Sequence, residues 1–109
     1  MTDAAVISRP PPRRRTRILL VTDSELTAYA LTSALIERAE ITFVLTPGEA
    51  LAAVRRGEKF ELVLSGLELQ STLALHSAIA RRDPAIAGRM LVFDRRQLRQ
   101  VIEMASGWM

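Results

Sequence analysis

The polar residues best placed for chemistry stand at the ends of apolar runs of strand length. Thr22 and Asp23 follow the run RILLV, Ser65 ends the run ELVLS, and Asp94 follows the run RMLVF. In an open α/β sheet, ligands bind beyond the carboxyl ends of the strands. Carboxylates at such positions would bind a divalent cation, and a serine there would be a nucleophile if a general base lay beside it.

Each of these residues also has a simpler structural interpretation, which we favour. Asp23 and Asp94 can cap helices, and a cap of this kind contributes about 1–2 kcal/mol. Ser65 lies in LSGLE, which lacks the first glycine of a nucleophile elbow, so a role in a turn is expected. His76 has the spacing of a helix surface residue. The chain contains no cysteine and no glycine-rich phosphate loop, and we expect no enzymatic activity, no cofactor and no metal centre.

The elements that would position these residues alternate along the chain. Continuous apolar runs predict strands that are buried on both faces, as in a parallel sheet. The four runs are RILLVT, ITFVLT, ELVLS and RMLVFD. Apolar residues at helical spacing between and after them predict helices over residues 24–38, 47–57, 71–82 and 95–109. The βαβαβαβα order predicts an α/β fold with right-handed crossovers and helices on both faces of the sheet.

Several helix boundaries are marked by local sequence. Thr46 to Glu49 has the form of a capping box with proline at the first helical position, and Asp94 to Gln97 has a similar form. The first helix is expected to be capped by Thr22 with Glu25, or by Asp23 alone. The predicted helix ends are Gly57 and Asp83-Pro84.

The first residues form a basic segment of different composition. Residues 1–17 contain five arginines against Asp3, whereas the remaining residues contain ten basic and eleven acidic side chains, within a net charge of +3. We predict that residues 1–16 are a disordered tail, because three prolines precede the run Arg13, Arg14 and Arg15. This run could neutralise nucleic-acid phosphates or bind an acidic protein surface. No aromatic residue is interleaved with it to stack on bases.

Three segments resemble the response-regulator receiver (CheY-like) domain. RILLVTDSE resembles its first strand, GEALAAVRRGEKFELVLSGLEL resembles its second helix and third strand, and RRDPAIAGRMLVF resembles the approach to its fourth strand. The resemblance covers about residues 17–95. It implies a doubly wound, flavodoxin-like parallel sheet of four strands in the order 2-1-3-4, within a domain over residues 17–109 that lacks the fifth βα unit of the family.

The resemblance also implies that the phosphorylation machinery of the family is missing. The acceptor position falls on Gly66, or on Ser65 if the register shifts, and the lysine after the fifth strand has no counterpart. The vestigial phosphorylation-site positions are Thr22, Asp23, Ser65, Gly66 and Asp94. We therefore interpret the chain as a pseudo-receiver that is not phosphorylated on aspartate.

The C-terminal helix carries an apolar stripe with two possible roles. The stripe consists of Leu98, Val101, Ile102 and Trp108. Without a fifth strand, strand four would be a free sheet edge, and the stripe beside it would bind a protein partner or a second copy. Alternatively, the helix folds back over the sheet and the stripe belongs to the core.

From these observations we expect a phosphorylation-independent protein-interaction module in bacterial two-component signalling or regulation, acting as a homodimer or with another protein. The alternative is a nucleic-acid-associated regulator that uses Arg13, Arg14 and Arg15. The sequence contains no run of about 18 apolar residues, so no membrane span is expected. The cytoplasm is the simplest expected location.

Overall fold

The computed structural model describes residues 15–108, except for the side chains of Arg95 and Trp108. Four strands and five helices follow one another in this part of the chain, with one 3₁₀ turn before the last helix. The elements in order are β1 Thr16–Val21, α1 Glu25–Leu35, β2 Ala39–Val44, α2 Pro47–Arg55, β3 Leu62–Ser65, α3 Leu69–Arg82, α4 Pro84–Ala87, β4 Met90–Val92, the 3₁₀ turn Arg95–Gln97 and α5 Leu98–Trp108.

The sheet is entirely parallel, with the strand order β2-β1-β3-β4. This confirms the predicted α/β class, the four-stranded flavodoxin-like sheet and the order 2-1-3-4. Val21 pairs with Val44 and with Ser65, and Ser65 pairs with Val92, so the four strands end at one level. We call this level the carboxyl rim, and the opposite level, where the strands begin, the amino rim.

The core has one layer on each face of the sheet. Ile18 and Leu20 of β1 point towards α1 and α5, whereas Leu19 and Val21 point towards α2, α3 and α4. All four side chains are fully buried, because helices cover both faces of this central strand. Side chains that alternate between two covered faces produce the continuous apolar run seen in the sequence.

The two outer strands are less buried than β1 and β3. The prediction that β2 is buried on both faces is wrong, because β2 lies at an edge and its residues are mostly partly buried or exposed. Phe43 is 36% exposed. β4 is the other edge, as predicted, but its three residues are partly buried or exposed, so the prediction of burial on both faces is wrong for this strand as well.

Helix α5 packs on the sheet of its own chain. Val101 and Ala105 are fully buried in the layer that contains Ile18 and Leu20, and Leu98 and Ile102 pack against that layer while partly buried. The interface role predicted for Val101 is therefore corrected to a core role. The helix therefore folds back over the sheet, which is the second of the two roles considered for its apolar stripe. The side chain of Trp108 lies outside the described residues.

Most helix boundaries follow local side-chain chemistry. In α2, Thr46 Oγ1 accepts from the Glu49 amide at 3.1 Å and Glu49 Oε1 accepts from the Thr46 amide at 3.2 Å, which confirms the capping box. Gly57 ends this helix with a φ of +84°, a left-handed conformation that favours glycine. Asp83 ends α3 as predicted and also caps the short helix α4, which the sequence analysis did not predict.

The predicted cap of α1 is wrong. Ser24 is the capping residue, and its side chain accepts from the Thr27 amide at 3.2 Å. Thr22 instead accepts from the Ser24 amide, so it supports the turn before the helix. Strand β1 begins at Thr16, one residue before the predicted domain boundary, and the remainder of the predicted tail lies outside the described residues.

Candidate functional site

All five vestigial positions lie at the carboxyl rim, but they differ in accessibility. Thr22 and Ser65 are buried, whereas Asp23 and Asp94 are exposed. Backbone hydrogen bonds hold the rim together: the Gly66 amide donates to Val21 O at 2.8 Å, and the Phe93 amide donates to Ser65 O at 2.9 Å. The backbone hydrogen bonding of the sheet therefore continues by one residue beyond β3 and β4.

The ring of Phe93 occupies the space beside Gly66. A Cβ atom on Gly66 would lie 2.9 Å from Cζ of Phe93 and 3.1 Å from Oγ1 of Thr22, and the first distance is closer than real Cβ contacts allow. Phe93 is 4% exposed and belongs to the core layer under α1 and α5. Position 66 therefore has no room for a carboxylate side chain unless a core aromatic residue moves.

Ser65 belongs to a closed set of hydrogen bonds after β3. Its Oγ lies 2.8 Å from Thr72 Oγ1, the Thr72 hydroxyl donates to Leu67 O at 3.3 Å, and the Leu67 amide donates to Ser65 Oγ at 3.5 Å. In the arrangement that satisfies all three bonds, Thr72 donates to Leu67 O and the Ser65 hydroxyl donates to Thr72. Both hydroxyls are buried, so this ring of bonds stabilises the turn, and Ser65 is enclosed among its hydrogen-bond partners.

The two exposed aspartates have different roles. Asp94 Oδ1 accepts from the Arg96 amide at 2.8 Å, and Gln97 Oε1 accepts from the Asp94 amide at 3.0 Å, which is the reciprocal arrangement that the sequence predicted. Asp23 makes no cap, because Ser24 takes that role. Strand β3 separates the strands that Asp23 and Asp94 follow. Within residues 15–108, no three histidine, aspartate or glutamate side chains are grouped to hold a metal ion.

A second stripe on α1, which the sequence analysis missed, exposes large apolar side chains. Leu26 is 83% exposed, Tyr29 is 74% exposed, and Ile36, the residue that ends the helix, is 56% exposed. Ser33 lies on the same stripe by its spacing, and residues 26–36 contain no charged side chain. We call Leu26, Tyr29, Ser33 and Ile36 the α1 stripe. Its sequence signal is a second set of residues at helical spacing beside the buried set Ala28, Leu31 and Leu35.

The remaining predicted residues have mixed outcomes. His76 is exposed on α3, as expected for a helix surface residue. Arg13 and Arg14 lie outside the described residues, and Arg15 is exposed just before β1. None of the helices described between residues 15 and 108 is long and apolar enough to cross a membrane.

Comparison with known proteins assigns no family to the chain. No family model matches it, and no curated protein matches it.

Proposed function

We propose that this chain is a receiver-like protein-interaction module, of the kind used in bacterial signalling, that works without aspartyl phosphorylation. The observation that supports this proposal most directly is the position of the Phe93 ring against Gly66. The sheet order and the resemblance of the segments around residues 17–95 support the receiver-like part of the proposal.

The chemistry of phosphoryl transfer explains why this contact matters. Transfer requires an acceptor oxygen in line with the donor, together with a metal ion that neutralises the charge on the transferring oxygens. At the carboxyl rim, the acceptor position is a glycine covered by an aromatic ring, and the neighbouring Thr22 offers a buried hydroxyl in place of a carboxylate. A core side chain therefore occupies the space that the reacting groups would need.

The α1 stripe is the surface through which we expect the module to act. A helix face that contacts solvent normally carries charged or polar side chains, but here three large apolar residues are exposed within residues 26–36, which contain no charged side chain. Large exposed apolar side chains grouped on one surface mark protein–protein contact sites. We place the predicted homodimer on this stripe and not on α5, because the apolar stripe of α5 packs on its own sheet.

A second copy of the chain fits the stripe because the stripe is self-complementary. Consider an antiparallel pair of α1 helices whose twofold axis crosses the stripe at the level of residue 31, midway between residues 26 and 36. Leu26 then lies opposite Ile36 of the second copy. Tyr29 then lies opposite Ser33 of the second copy, so the largest side chain of the stripe meets the smallest. Such an isologous contact is the commonest interface in homo-oligomers, and antiparallel helices also oppose their dipoles favourably.

The oligomeric state tests this surface. Light scattering of the full chain over a range of concentrations should give a dimer, and Leu26→Glu combined with Ile36→Glu should give a monomer with unchanged circular dichroism. Leu73→Glu is a matched control, since Leu73 is as exposed as Ile36 but lies on α3. A wild-type monomer at high concentration, or a double variant that remains dimeric, would refute the α1 contact.

Phosphorylation tests the other half of the proposal. Incubation with a small phosphodonor and Mg²⁺ should leave the mass of the protein unchanged. A base-labile gain of one phosphoryl group would overturn the proposal, whatever the oligomeric state.

A further inference from the structure

Charge is separated along the strand direction of the folded part. Helices and strands run in opposite directions in this fold, so residues that end helices or begin strands lie at the amino rim. The basic residues there are Arg15, Arg17, Arg38, Arg55, Arg56, Lys59, Arg81, Arg82 and Arg89. The acidic residues there are Glu37, Glu40, Glu58, Glu61 and Asp83. Nine basic residues against five acidic ones leave the amino rim with an excess of four positive charges.

The carboxyl rim has the opposite balance. Its basic residues are Arg95, Arg96 and Arg99, and its acidic residues are Asp23, Glu25, Glu49, Glu68 and Asp94. Three against five leave an excess of two negative charges. The net charge of the folded part is therefore close to zero, although its amino rim is positive and its carboxyl rim is negative.

Most acidic residues of the amino rim are already engaged. Glu58 pairs with Arg56 at 2.6 Å and lies 3.9 Å from Arg17, and Glu40 pairs with Arg17 at 3.1 Å. Glu61 accepts from the Arg17 amide at 3.2 Å. Asp83 accepts from an amide of α4, so four of the five carboxylates already have partners.

Three arginines at this rim surround a surface depression. Arg55 at the end of α2 and Arg81 and Arg82 at the end of α3, together with Leu51 and Ala78, line a space of about 370 Å³. Arg82 Nη2 donates to Arg55 O at 3.4 Å, which holds its guanidinium beside the end of α2. Within residues 15–108, no ion pair joins any of the three to a carboxylate. We call this the arginine depression.

The positions of these arginines at helix ends explain why each one is favourable separately, but not why all three line the same depression. A cation in the last turn of a helix gains about 0.3–1 kcal/mol from the helix dipole, which accounts for each arginine separately. Bringing three cations around one concavity costs free energy through their mutual repulsion, unless an anion enters between them. An anion held between the three guanidinium groups would relieve this repulsion.

We propose that the arginine depression binds the phosphodiester backbone of a nucleic acid. Guanidinium groups bind phosphate oxygens through paired hydrogen bonds, and all the cations of the depression are arginines. No aromatic side chain lines the depression, so the contact reads phosphate and not base sequence. Arg89 lies at the same rim, immediately before β4.

A nucleic acid fits this surface better than a lipid bilayer does. A bilayer-binding surface combines cations with exposed apolar side chains that enter the membrane. The apolar residues of the depression, Leu51 and Ala78, are partly buried, and neither is among the exposed large hydrophobic residues. This proposal concerns a different surface from the α1 stripe and does not depend on dimerisation.

The experiment compares two triple substitutions that remove the same charge from opposite rims. Fluorescence anisotropy of the full chain with labelled double-stranded DNA of mixed sequence would be measured at several salt concentrations. Arg55→Gln, Arg81→Gln and Arg82→Gln are combined in one variant, and Arg95→Gln, Arg96→Gln and Arg99→Gln are combined in the control. Circular dichroism checks that both variants are folded.

We expect the depression variant to lose binding at least about tenfold and the control to lose about twofold or less. The slope of log Kobs against log salt should fall by up to about 2.7 in the depression variant, because each lost phosphate contact removes about 0.9 from the slope. Equal losses in the two variants, an unchanged slope, or no DNA binding by the wild type would overturn the proposal. Stronger binding to phosphatidylserine vesicles or to polyglutamate, with the same dependence on the three arginines, would overturn the choice of nucleic acid.

Discussion

The ring of Phe93 fills the space that a side chain on Gly66 would need, since a Cβ there would lie 2.9 Å from Cζ of the ring. The two residues lie at the ends of neighbouring strands, and the Phe93 amide donates to the carbonyl of Ser65, the residue before Gly66. This bond positions the main chain of Phe93 beside Gly66, and the buried ring occupies the space next to it.

This contact predicts that Gly66→Ala is destabilising. Placing a methyl group against a packed aromatic ring costs about 1–3 kcal/mol in the free energy of unfolding. Gly107→Ala is the control, because Gly107 lies in α5 with no atom near its Cβ position and should gain up to about 1 kcal/mol. Urea denaturation measures both values. Combining Gly66→Ala with Phe93→Leu should recover part of the loss, and a loss that is unchanged by Phe93→Leu would show that the ring is not its cause.

The hydrogen bond between Ser65 and Thr72 predicts a non-additive pair of substitutions. Ser65→Ala or Thr72→Val leaves the other buried hydroxyl without this partner, at a cost of about 1–3 kcal/mol each. The double variant should cost less than the sum, because both polar groups are then gone. Ser71→Ala, on the exposed bond to Glu68, should change stability by about 0.5 kcal/mol or less. Strictly additive losses in the double variant would contradict direct pairing of the two hydroxyls.

The buried position of Val101 predicts that a charged side chain on the buried face of α5 destabilises the fold. Val101→Glu places a carboxylate among fully buried residues and should lower the free energy of unfolding by several kcal/mol or abolish folding. Gln100→Glu introduces the same side chain at the neighbouring exposed position and should be nearly neutral. Thermal unfolding followed by circular dichroism separates the two results. A Val101→Glu protein of wild-type stability would contradict the core role of this helix.

The capping box of α2 predicts that removing the Thr46 hydroxyl lowers the free energy of unfolding by a small amount. Thr46→Ala removes the acceptor of the Glu49 amide and should cost about 1 kcal/mol, whereas Thr46→Ser keeps the oxygen and most of the stability. Denaturant titration of the three proteins measures the difference. If alanine and serine were equally destabilising, the side-chain oxygen would not be the stabilising group.

The parts of the fold that could be predicted from the sequence depend on residues close together in the chain. Alternating apolar runs and helical stripes predict the parallel sheet, because each pattern reports which side chains an element must bury. The cap at Thr46 and the turn at Asp94 are equally local, since each joins residues within three positions. The strand order came from the resemblance to the receiver domain, and the structure confirms it.

Contacts between residues far apart in the chain could not be predicted from the sequence. Nothing near Gly66 in the chain indicates that Phe93 will cover it, and nothing near Arg55 indicates that Arg81 and Arg82 will lie beside it. The same holds for α5, whose stripe suits a core and an interface equally well until its position on the sheet is known. Short-range patterns specify elements, whereas contacts between residues far apart in the chain depend on how those elements are arranged. The exclusion at Gly66, the buried face of α5 and the positive amino rim are all consequences of that arrangement.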